Sequence, residues 1–480
     1  MSHTFRPLVL LALSLGIGGC TTLFRPLNQP VKQISAGNGY AIQKVRGGDT
    51  GENVVLLAFS GGGTRAAALS YGVLKELSET SIQSRGQRVR LLDEVDSISS
   101  VSGGSFTAAY YGLFGDKIFS DYEKVFLKQS IQSTLINKLF DPAYLWRSLS
   151  TGFDRTEMAI EYYDNNIFEG KTFRDINLQK QPFIEINSTN LGAASRFSFT
   201  QIYFDLLCSD LLNLKVARAV TASSAVPIMF APVVLKNYNG ECDSLKNTAL
   251  NQFVTDKGSE PRITEIKERI AHYQDRENSP YVQLIDGGVS DNLGVRALTE
   301  RLEGYQNGLT QIISNNKTKN ILVIVVDAEV KPVHNVNQQP GNPSIGETIE
   351  AFSNIQFELF NNESRILLDT RLDALKQYLG QKGVPVNIFK VGVSFKHIAG
   401  KSLQDHLNGL PTSLELPAGD VDLLVRVGGD LLRQNSSYRD FLRTVNGQKI
   451  PSSGTTLSPT TKTQATGVAS VVIEGTSKAP

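Results

Sequence analysis

Residues 95–112 read VDSISSVSGGSFTAAYYG, and this stretch decides the fold. It is predicted to be a strand end, a tight turn of serines and glycines, and then a helix that Ser105 can cap. The turn Ser100-Val-Ser102-Gly-Gly104 follows the G-x-S-x-G pattern of a nucleophile elbow, with Ser100 in place of the first glycine. In such an elbow the central serine is exposed above the sheet, and the helix N-terminus favours a developing negative charge. Ser102 is therefore the candidate nucleophile; the alternative is a serine-rich turn before a buried helix.

A glycine-rich loop lies further upstream. Asn53–Phe59 is a continuous apolar run, typical of a buried parallel strand, and a helical pattern begins at Ala66. The loop between them contains Gly61, Gly62, Gly63 and Arg65. Glycines expose backbone N–H groups, and the helix N-terminus adds its dipole, so the loop is a candidate oxyanion hole. A phosphate cradle and a flexible turn are the alternatives, although the lysine of a P-loop and the G-x-G-x-x-G of a dinucleotide site are both missing.

A third motif places an acid at the end of a predicted strand. Residues 281–288 read YVQLIDGG, so that Asp286 precedes Gly287 and Gly288. The carboxyl end of a strand is where α/β sheets hold ligands and catalytic groups. Asp286 is therefore a candidate catalytic acid or base, and a solvated acid in an Asp-Gly turn is the alternative.

In this order, the three motifs and the ASSAVP…FAP block of residues 222–232 resemble the patatin-like phospholipase family over about residues 53–327. The resemblance implies an α/β fold, a three-layer α/β/α sandwich with a mostly parallel central sheet, plus a helical C-terminal extension. It implies acyl-ester hydrolysis without a cofactor by a dyad of Ser102 and Asp286, with Gly62, Gly63 and Arg65 in the oxyanion loop. Ser100 departs from the family pattern, which usually has glycine at this position, and its added Cβ is expected to tighten the turn.

The resemblance predicts a serine lipid acyl hydrolase, similar to a phospholipase A or lysophospholipase, within the carboxylic ester hydrolases. A Ser-His-Asp triad is the first alternative, with His334 as its histidine and His272, His397 and His406 as further candidates. A non-catalytic, membrane-anchored lipoprotein that binds lipid or scaffolds partners is the second. Arg65 has three possible roles: holding the loop, meeting a lipid phosphate, or forming a structural ion pair. No metal-ligand motif such as H-E-x-x-H is present, and no metal is expected.

Composition and the N-terminus indicate where the protein acts. The chain has 480 residues, 40% of them hydrophobic, and a formal net charge of +1, which argues against a nucleic-acid partner. Residues 7–17 form an apolar run too short to span a bilayer, and Gly18-Gly19-Cys20 resembles a bacterial lipobox. We therefore expect lipidation of Cys20, anchorage in the bacterial cell envelope, on the outer membrane, and a phospholipid or other acyl-ester lipid as substrate. An ordinary signal peptide is the alternative.

The chain divides into a lipoprotein-type signal peptide (1–20), a tether (21–50), a patatin-like catalytic domain (51–330), a helical C-terminal extension (331–446) and a disordered tail (447–480). Cys208 and Cys242 form an even pair once Cys20 is lipidated, and they are either a disulfide or two buried thiols. The apolar stripe of residues 345–379 is predicted to lie in the core. Residues 237–280 are predicted to form a polar excursion with a surface helix, for which a substrate lid is the alternative.

Overall fold

The computed structural model describes residues 28–34, 39–151, 153–227, 229–255, 261–303, 313, 318–330, 342 and 344–450. Its strands are β1 (Asn53–Phe59), β2 (Thr80–Ser84), β3 (Gln87–Arg90), β4 (Val95–Val101), β5 (Phe183–Asn190), β6 (Ser195–Ser198), β7 (Val233–Lys236), β8 (Tyr281–Ile285), β9 (Asn320–Asp327), β10 (Asn387–Ser394) and β11 (Gln448–Lys449). Its α-helices are α1 (Gly63–Ser78), α2 (Gly103–Phe114), α3 (Ile118–Tyr122), α4 (Ile131–Lys138), α5 (Pro142–Thr151), α6 (Arg155–Asn166), α7 (Gln201–Leu206), α8 (Val216–Ser223), α9 (Thr248–Thr255), α10 (Pro261–Gln274), α11 (Gly288–Asp291), α12 (Val295–Glu303), α13 (Ile345–Gln381), α14 (Lys401–Asn408), α15 (Ala418–Gln434) and α16 (Ser436–Thr444).

The main sheet has the strand order β10-β9-β1-β4-β5-β8-β7, and β6 also pairs with β5. The pairs from β10 to β5 are parallel, whereas β8, β7 and β6 join antiparallel. Every residue of β1 and β4 is buried, as expected for central parallel strands that helices cover on both faces. The predicted α/β fold with a mostly parallel central sheet is confirmed.

The C-terminal region is built into this sheet. Besides its helices it supplies β10, which pairs in parallel with β9 and was not predicted from the sequence. Helix α15 lies directly on α1: a Cβ on Gly72 would be 2.1 Å from the Val425 carbonyl oxygen, and one on Gly428 would be 2.4 Å from that of Leu69. Such close backbone contact requires glycine at both positions, so this region and the N-terminal half of the sheet form one packed unit.

Two predicted flexible segments are partly ordered. The tether prediction is wrong for residues 39–50, because Tyr40 is buried and its hydroxyl donates to the Ile184 carbonyl oxygen at 3.0 Å, while Val45 is also buried. A buried aromatic ring with a paired hydroxyl holds this segment on the domain. Gln448 and Lys449 of the predicted tail pair with β2, and residues 451–480 lie outside the described residues.

Helix α13 carries apolar residues on two faces. Leu368, Leu372, Leu375 and Leu379 are buried, but Ile355, Leu359 and Ile366 are more than half exposed. At about 100° per residue the two sets lie on opposite sides of the helix. The predicted core stripe is therefore wrong for the exposed set, because periodicity identifies a face without showing which face meets the domain.

Candidate active site

Ser102 occupies the turn between β4 and α2. Its backbone has φ 49° and ψ −121°, a positive φ that is uncommon outside glycine and that clusters at functional sites. Glycine is required next to it: a Cβ on Gly103 would lie 2.0 Å from the Gly63 carbonyl oxygen, and one on Gly104 would lie 2.7 Å from that of Ser60. The sharp strand-to-helix turn predicted from the sequence is therefore present, although the helix begins at Gly103, before the predicted cap.

Ser100 and Ser105 have structural places at this turn. Ser100 lies in β4 and is fully buried, and its hydroxyl donates to the Glu185 carbonyl oxygen at 3.2 Å. Ser105 does not cap the helix; its hydroxyl donates to that of Ser100 at 3.1 Å. The serine that replaces glycine in the family pattern is thus accommodated within the strand, and its hydroxyl is paired.

Asp286 lies beside the hydroxyl of Ser102. Ser102 Oγ donates to Asp286 Oδ2 at 2.9 Å, and Asp286 Oδ1 accepts the Gly288 N–H at 2.7 Å. Both side chains are buried, with Ser102 6% and Asp286 8% exposed. Burial raises the pKa of Asp286 from 3.8 to about 6, although the hydrogen bonds from Gly288 and Ser102 act to lower it. A carboxylate with a raised pKa accepts a proton more readily, which suits a general base.

The end of helix α8 joins the two motifs, and its role was missed from the sequence. Ser223 Oγ accepts the Ser102 N–H at 2.8 Å and donates to the Asn187 carbonyl oxygen at 2.6 Å. The carbonyl oxygen of the same residue accepts the Gly287 N–H at 3.0 Å. Ser223 thus holds the nucleophile turn and the acid turn together. It belongs to the ASSAVP block, so the signal was present in the family resemblance, but small residues in a helix indicate only packing.

The glycine-rich loop approaches the nucleophile closely. Gly62 has φ +133° and Gly63 has φ +58°, and a Cβ on Gly61 would lie 3.4 Å from the Cβ of Ser102. Within the part of the chain that the structure describes, the backbone N–H groups of Gly62, Gly63 and Gly103 donate to no acceptor. Unpaired amides beside a nucleophile are what stabilisation of an oxyanion requires.

The residues of this site lie within a match to a known protein family. The family model for the patatin-like phospholipase matches residues 57–299, which contain the glycine-rich loop, the serine turn and the Asp286 motif. The chain belongs to the patatin-like phospholipase family. Membership of this family supports lipid acyl hydrolase activity.

More distant comparisons add little to this assignment. The chain matches the structure of human GIVD cytosolic phospholipase A2 with 12% identity and a TM-score of 0.42, over 82% of this chain and 62% of that one. The same human enzyme in complex with methyl gamma-linolenyl fluorophosphonate matches with 12% identity and a TM-score of 0.38, over 82% and 59%. This chain thus spans about three fifths of those proteins, and the similarity is too low to support an argument. No curated protein sequence matches significantly.

In this patatin-like domain, Arg65 holds the glycine-rich loop to the C-terminal region. The side chain is buried, and its guanidinium donates to the carbonyl oxygens of Ala328 at 3.0 Å and Leu410 at 2.5 Å. It also donates to Thr412 Oγ1 at 3.1 Å. These bonds are to uncharged oxygens of the protein, which favours the loop-holding role among the three that the sequence left open for Arg65.

The remaining predicted residues either make no hydrogen bond to Ser102 or Asp286 or lie outside the described residues. His272 contacts Ser279, His406 contacts Asp420, and His397 is largely buried near Asp327. None of these three histidines hydrogen-bonds to Ser102 or Asp286. His334 and Cys20 lie outside the described residues, and Cys208 and Cys242 are joined in a disulfide.

Proposed function

We propose that this protein is a serine lipid acyl hydrolase of the phospholipase A or lysophospholipase type, with Ser102 and Asp286 as its catalytic dyad. The observation that carries the proposal is the 2.9 Å hydrogen bond from Ser102 Oγ to Asp286 Oδ2 in a buried site beside unpaired backbone amides. A serine hydroxyl becomes an effective nucleophile only when a base accepts its proton, and Asp286 is the base within reach.

The proposed reaction has two stages. Ser102 Oγ attacks the acyl carbonyl carbon while Asp286 takes the hydroxyl proton, and the amides of Gly62, Gly63 and Gly103 stabilise the oxyanion. Collapse of this intermediate breaks the ester bond, and Asp286 returns the proton to the departing alcohol. Water then attacks the acyl-serine, Asp286 again accepts and returns a proton, and a free fatty acid leaves. Loss of one oxyanion donor costs about 3 kcal/mol in other hydrolases, so these amides are central to the rate.

We also propose that the protein works at the surface of a membrane in the bacterial cell envelope, held by lipidated Cys20. The apolar run before Gly18-Gly19-Cys20 supports this proposal, because a lipobox directs acylation of its cysteine. None of the helices in the described ranges is both long and apolar enough to cross a bilayer. Mass spectrometry of the membrane-extracted protein tests the anchor: an unmodified residue at Cys20 would contradict it.

A fluorophosphonate probe tests the dyad, because it reacts only with an activated serine. We expect the wild-type protein to be labelled, Ser102→Ala to be unlabelled, and Asp286→Asn to be labelled at least about 100-fold more slowly, since loss of a general base removes 10²–10⁴-fold of rate. The His334→Ala variant serves as the control and should label like the wild type.

Two results would contradict the proposal in different ways. Absence of labelling in the wild-type protein would favour the non-catalytic lipoprotein. If His334→Ala were as impaired as Ser102→Ala, the reaction would instead use a Ser-His-Asp triad.

A further inference from the structure

The segment from α4 through α5 (residues 131–151), termed the α4–α5 segment, exposes large apolar side chains. Phe140 in its turn is 77% exposed, and on α5 Trp146 is 76%, Leu149 is 87% and Leu145 is 49% exposed. No residue of α5 is buried. Single exposed apolar residues are common, but a cluster of this size on one short segment marks an interaction surface.

The apolar residues of α5 share one face that points away from the domain. At about 100° per residue, Leu145, Trp146 and Leu149 lie within a single arc of the helix. The opposite side is partly buried, and there the ring of Tyr144 lies 6.0 Å from that of Phe153. Arg147 fixes the helix on its flank, because its guanidinium stacks on Phe153 at 3.6 Å and pairs with Glu161 at 2.7 Å. The orientation of the apolar face is therefore set by contacts to the domain.

Helix α4 is attached to a C-terminal segment that in turn contacts the glycine-rich loop. In α4, Gln132 Oε1 accepts the hydroxyl of Ser413 at 2.9 Å, and Ser133 donates to Glu415. The carbonyl oxygen of Ser413 accepts the Thr64 N–H at 2.8 Å, directly after Gly63. The segment that contains Ser413 thus links the α4–α5 segment to the loop beside Ser102.

Beyond α5 the chain contacts the segment that precedes the Asp286 motif. Helix α6 follows α5, and there the hydroxyl of Thr156 donates to the Ala231 carbonyl oxygen at 3.0 Å. The segment before Ala231 includes Val226 and Met229, which are 38% and 43% exposed and lie just beyond the Ala225 carbonyl that accepts the Asp286 N–H. Helix α6 and this segment therefore connect α5 to the residues that flank Asp286.

We propose that the α4–α5 segment binds the surface of a phospholipid bilayer, inserting Leu145, Trp146 and Leu149 so that the dyad faces the lipid. This inference rests on the proposed lipid hydrolase function. A leucine and tryptophan face is typical of interfacial helices, in which the indole ring lies at the headgroup level. The contacts of this region through Ser413 to the glycine-rich loop and through Thr156 to the segment before Asp286 favour a bilayer over a protein partner, because a bilayer held there delivers the ester to the site.

Trp146 is the only tryptophan in the chain, so its fluorescence reports on this face alone. The experiment adds vesicles of phosphatidylethanolamine and phosphatidylglycerol to the full-length Ser102→Ala protein, which leaves the lipid intact. We expect a blue shift of the emission, protection from acrylamide, and quenching by lipids brominated in the acyl chain. Cosedimentation in the same samples establishes that the protein is bound, so a Trp146 that stays accessible to acrylamide on bound protein would overturn the inference.

A pair of matched double variants tests whether the α4–α5 segment is responsible for membrane binding. Leu145→Ser/Leu149→Ser should weaken the insertion of Trp146 by about 100-fold, because two apolar side chains lose their burial in lipid. Ile355→Ser/Leu359→Ser removes two comparably exposed side chains from α13 and should have no effect. Equal loss in both variants would overturn the inference, and so would an emission shift that depends on protein concentration without vesicles, since that indicates self-association.

The hydrolysis of p-nitrophenyl butyrate in solution separates this inference from the proposed function. With Ser102 present, Leu145→Ser/Leu149→Ser should hydrolyse this soluble ester like the wild type and lose activity only on vesicles. Equal activity of variant and wild type on vesicles would overturn the role of the α4–α5 segment in membrane binding. Absence of wild-type activity on the soluble ester would instead contradict the proposed function, and vesicle binding by Ser102→Ala would still be read independently.

Discussion

Ser223→Ala should uncouple the nucleophile from its support without touching the dyad. The substitution removes the acceptor that Ser102 N–H has at 2.8 Å and the donor that binds the Asn187 carbonyl at 2.6 Å. All three residues are buried, so the Ser102 amide is left unpaired, at a cost of about 1–3 kcal/mol in the free energy of unfolding.

The effect on the reaction should be larger than this loss of stability suggests. Ser102 is held at a positive φ, and without the Ser223 acceptor the turn can relax. Displacement of a reacting group by 1 Å can cost about 100-fold, so we expect a loss of roughly 10- to 100-fold, mainly in kcat. The assays are steady-state hydrolysis of p-nitrophenyl butyrate and the rate of fluorophosphonate labelling, each at a temperature well below the measured midpoint of unfolding.

Ser224→Ala is the matched control for this prediction. Ser224 is the next residue and is buried, but its hydroxyl donates to the Val220 carbonyl at 2.8 Å and so bonds only within its own helical turn. Ser224→Ala should therefore keep its activity, and Ser223→Thr, which retains a hydroxyl, should recover much of the kcat. The reasoning is refuted if Ser223→Ala reacts with the probe as fast as Ser224→Ala does.

Three further predictions concern other parts of the molecule. Burial raises the pKa of Asp286 to about 6, so kcat/KM should rise with pH and level off above about 6. Between pH 3.8 and 6 the folded state keeps the proton on Asp286 while the unfolded chain releases it. The contribution of Asp286 to the free energy of unfolding therefore falls as pH rises through that window. A pH–rate profile without a rising limb near 6, or urea titrations of wild type and Asp286→Asn with the same pH dependence, would contradict this. Gly103→Ala should abolish probe labelling, because the new Cβ meets a carbonyl oxygen of the glycine-rich loop at 2.0 Å, whereas Gly419→Ala, with open space around it, should label normally. Cys208→Ser/Cys242→Ser should lower the free energy of unfolding by about 3–4 kcal/mol, since the disulfide closes a loop with a sequence separation of 34, and should leave kcat unchanged; urea titration measures the first and ester hydrolysis the second.

The local parts of the site could be predicted from the sequence. A tight strand-to-helix turn depends on small residues in consecutive positions, so Gly103 and Gly104 identify it directly. The hydrogen bond between Ser102 and Asp286 required more, because these residues are 184 positions apart and only the family resemblance pairs them.

Support from distant segments could not be predicted. Ser223 lies in a helix of small residues that indicates only packing, and nothing in the local sequence shows that its hydroxyl contacts Ser102. In the same way, the sequence offers several partners for Arg65, and the structure selects the carbonyl oxygens of Ala328 and Leu410. Hydrogen bonds between segments far apart in the chain depend on how the elements pack, and periodicity contains no record of that packing.

The sequence by itself predicted the buried strand Asn53–Phe59 and the three motifs at strand ends, because continuous apolar runs and glycine-rich turns are local properties. The mostly parallel sheet was implied only by the family that those motifs resemble. Only the tertiary structure decided which apolar faces are covered: the leucines of α13 are buried, whereas Leu149 and Trp146 on α5 are exposed. The physical reason is that an apolar stripe favours burial against any apolar surface, and the arrangement of the other elements determines whether the protein itself supplies that surface.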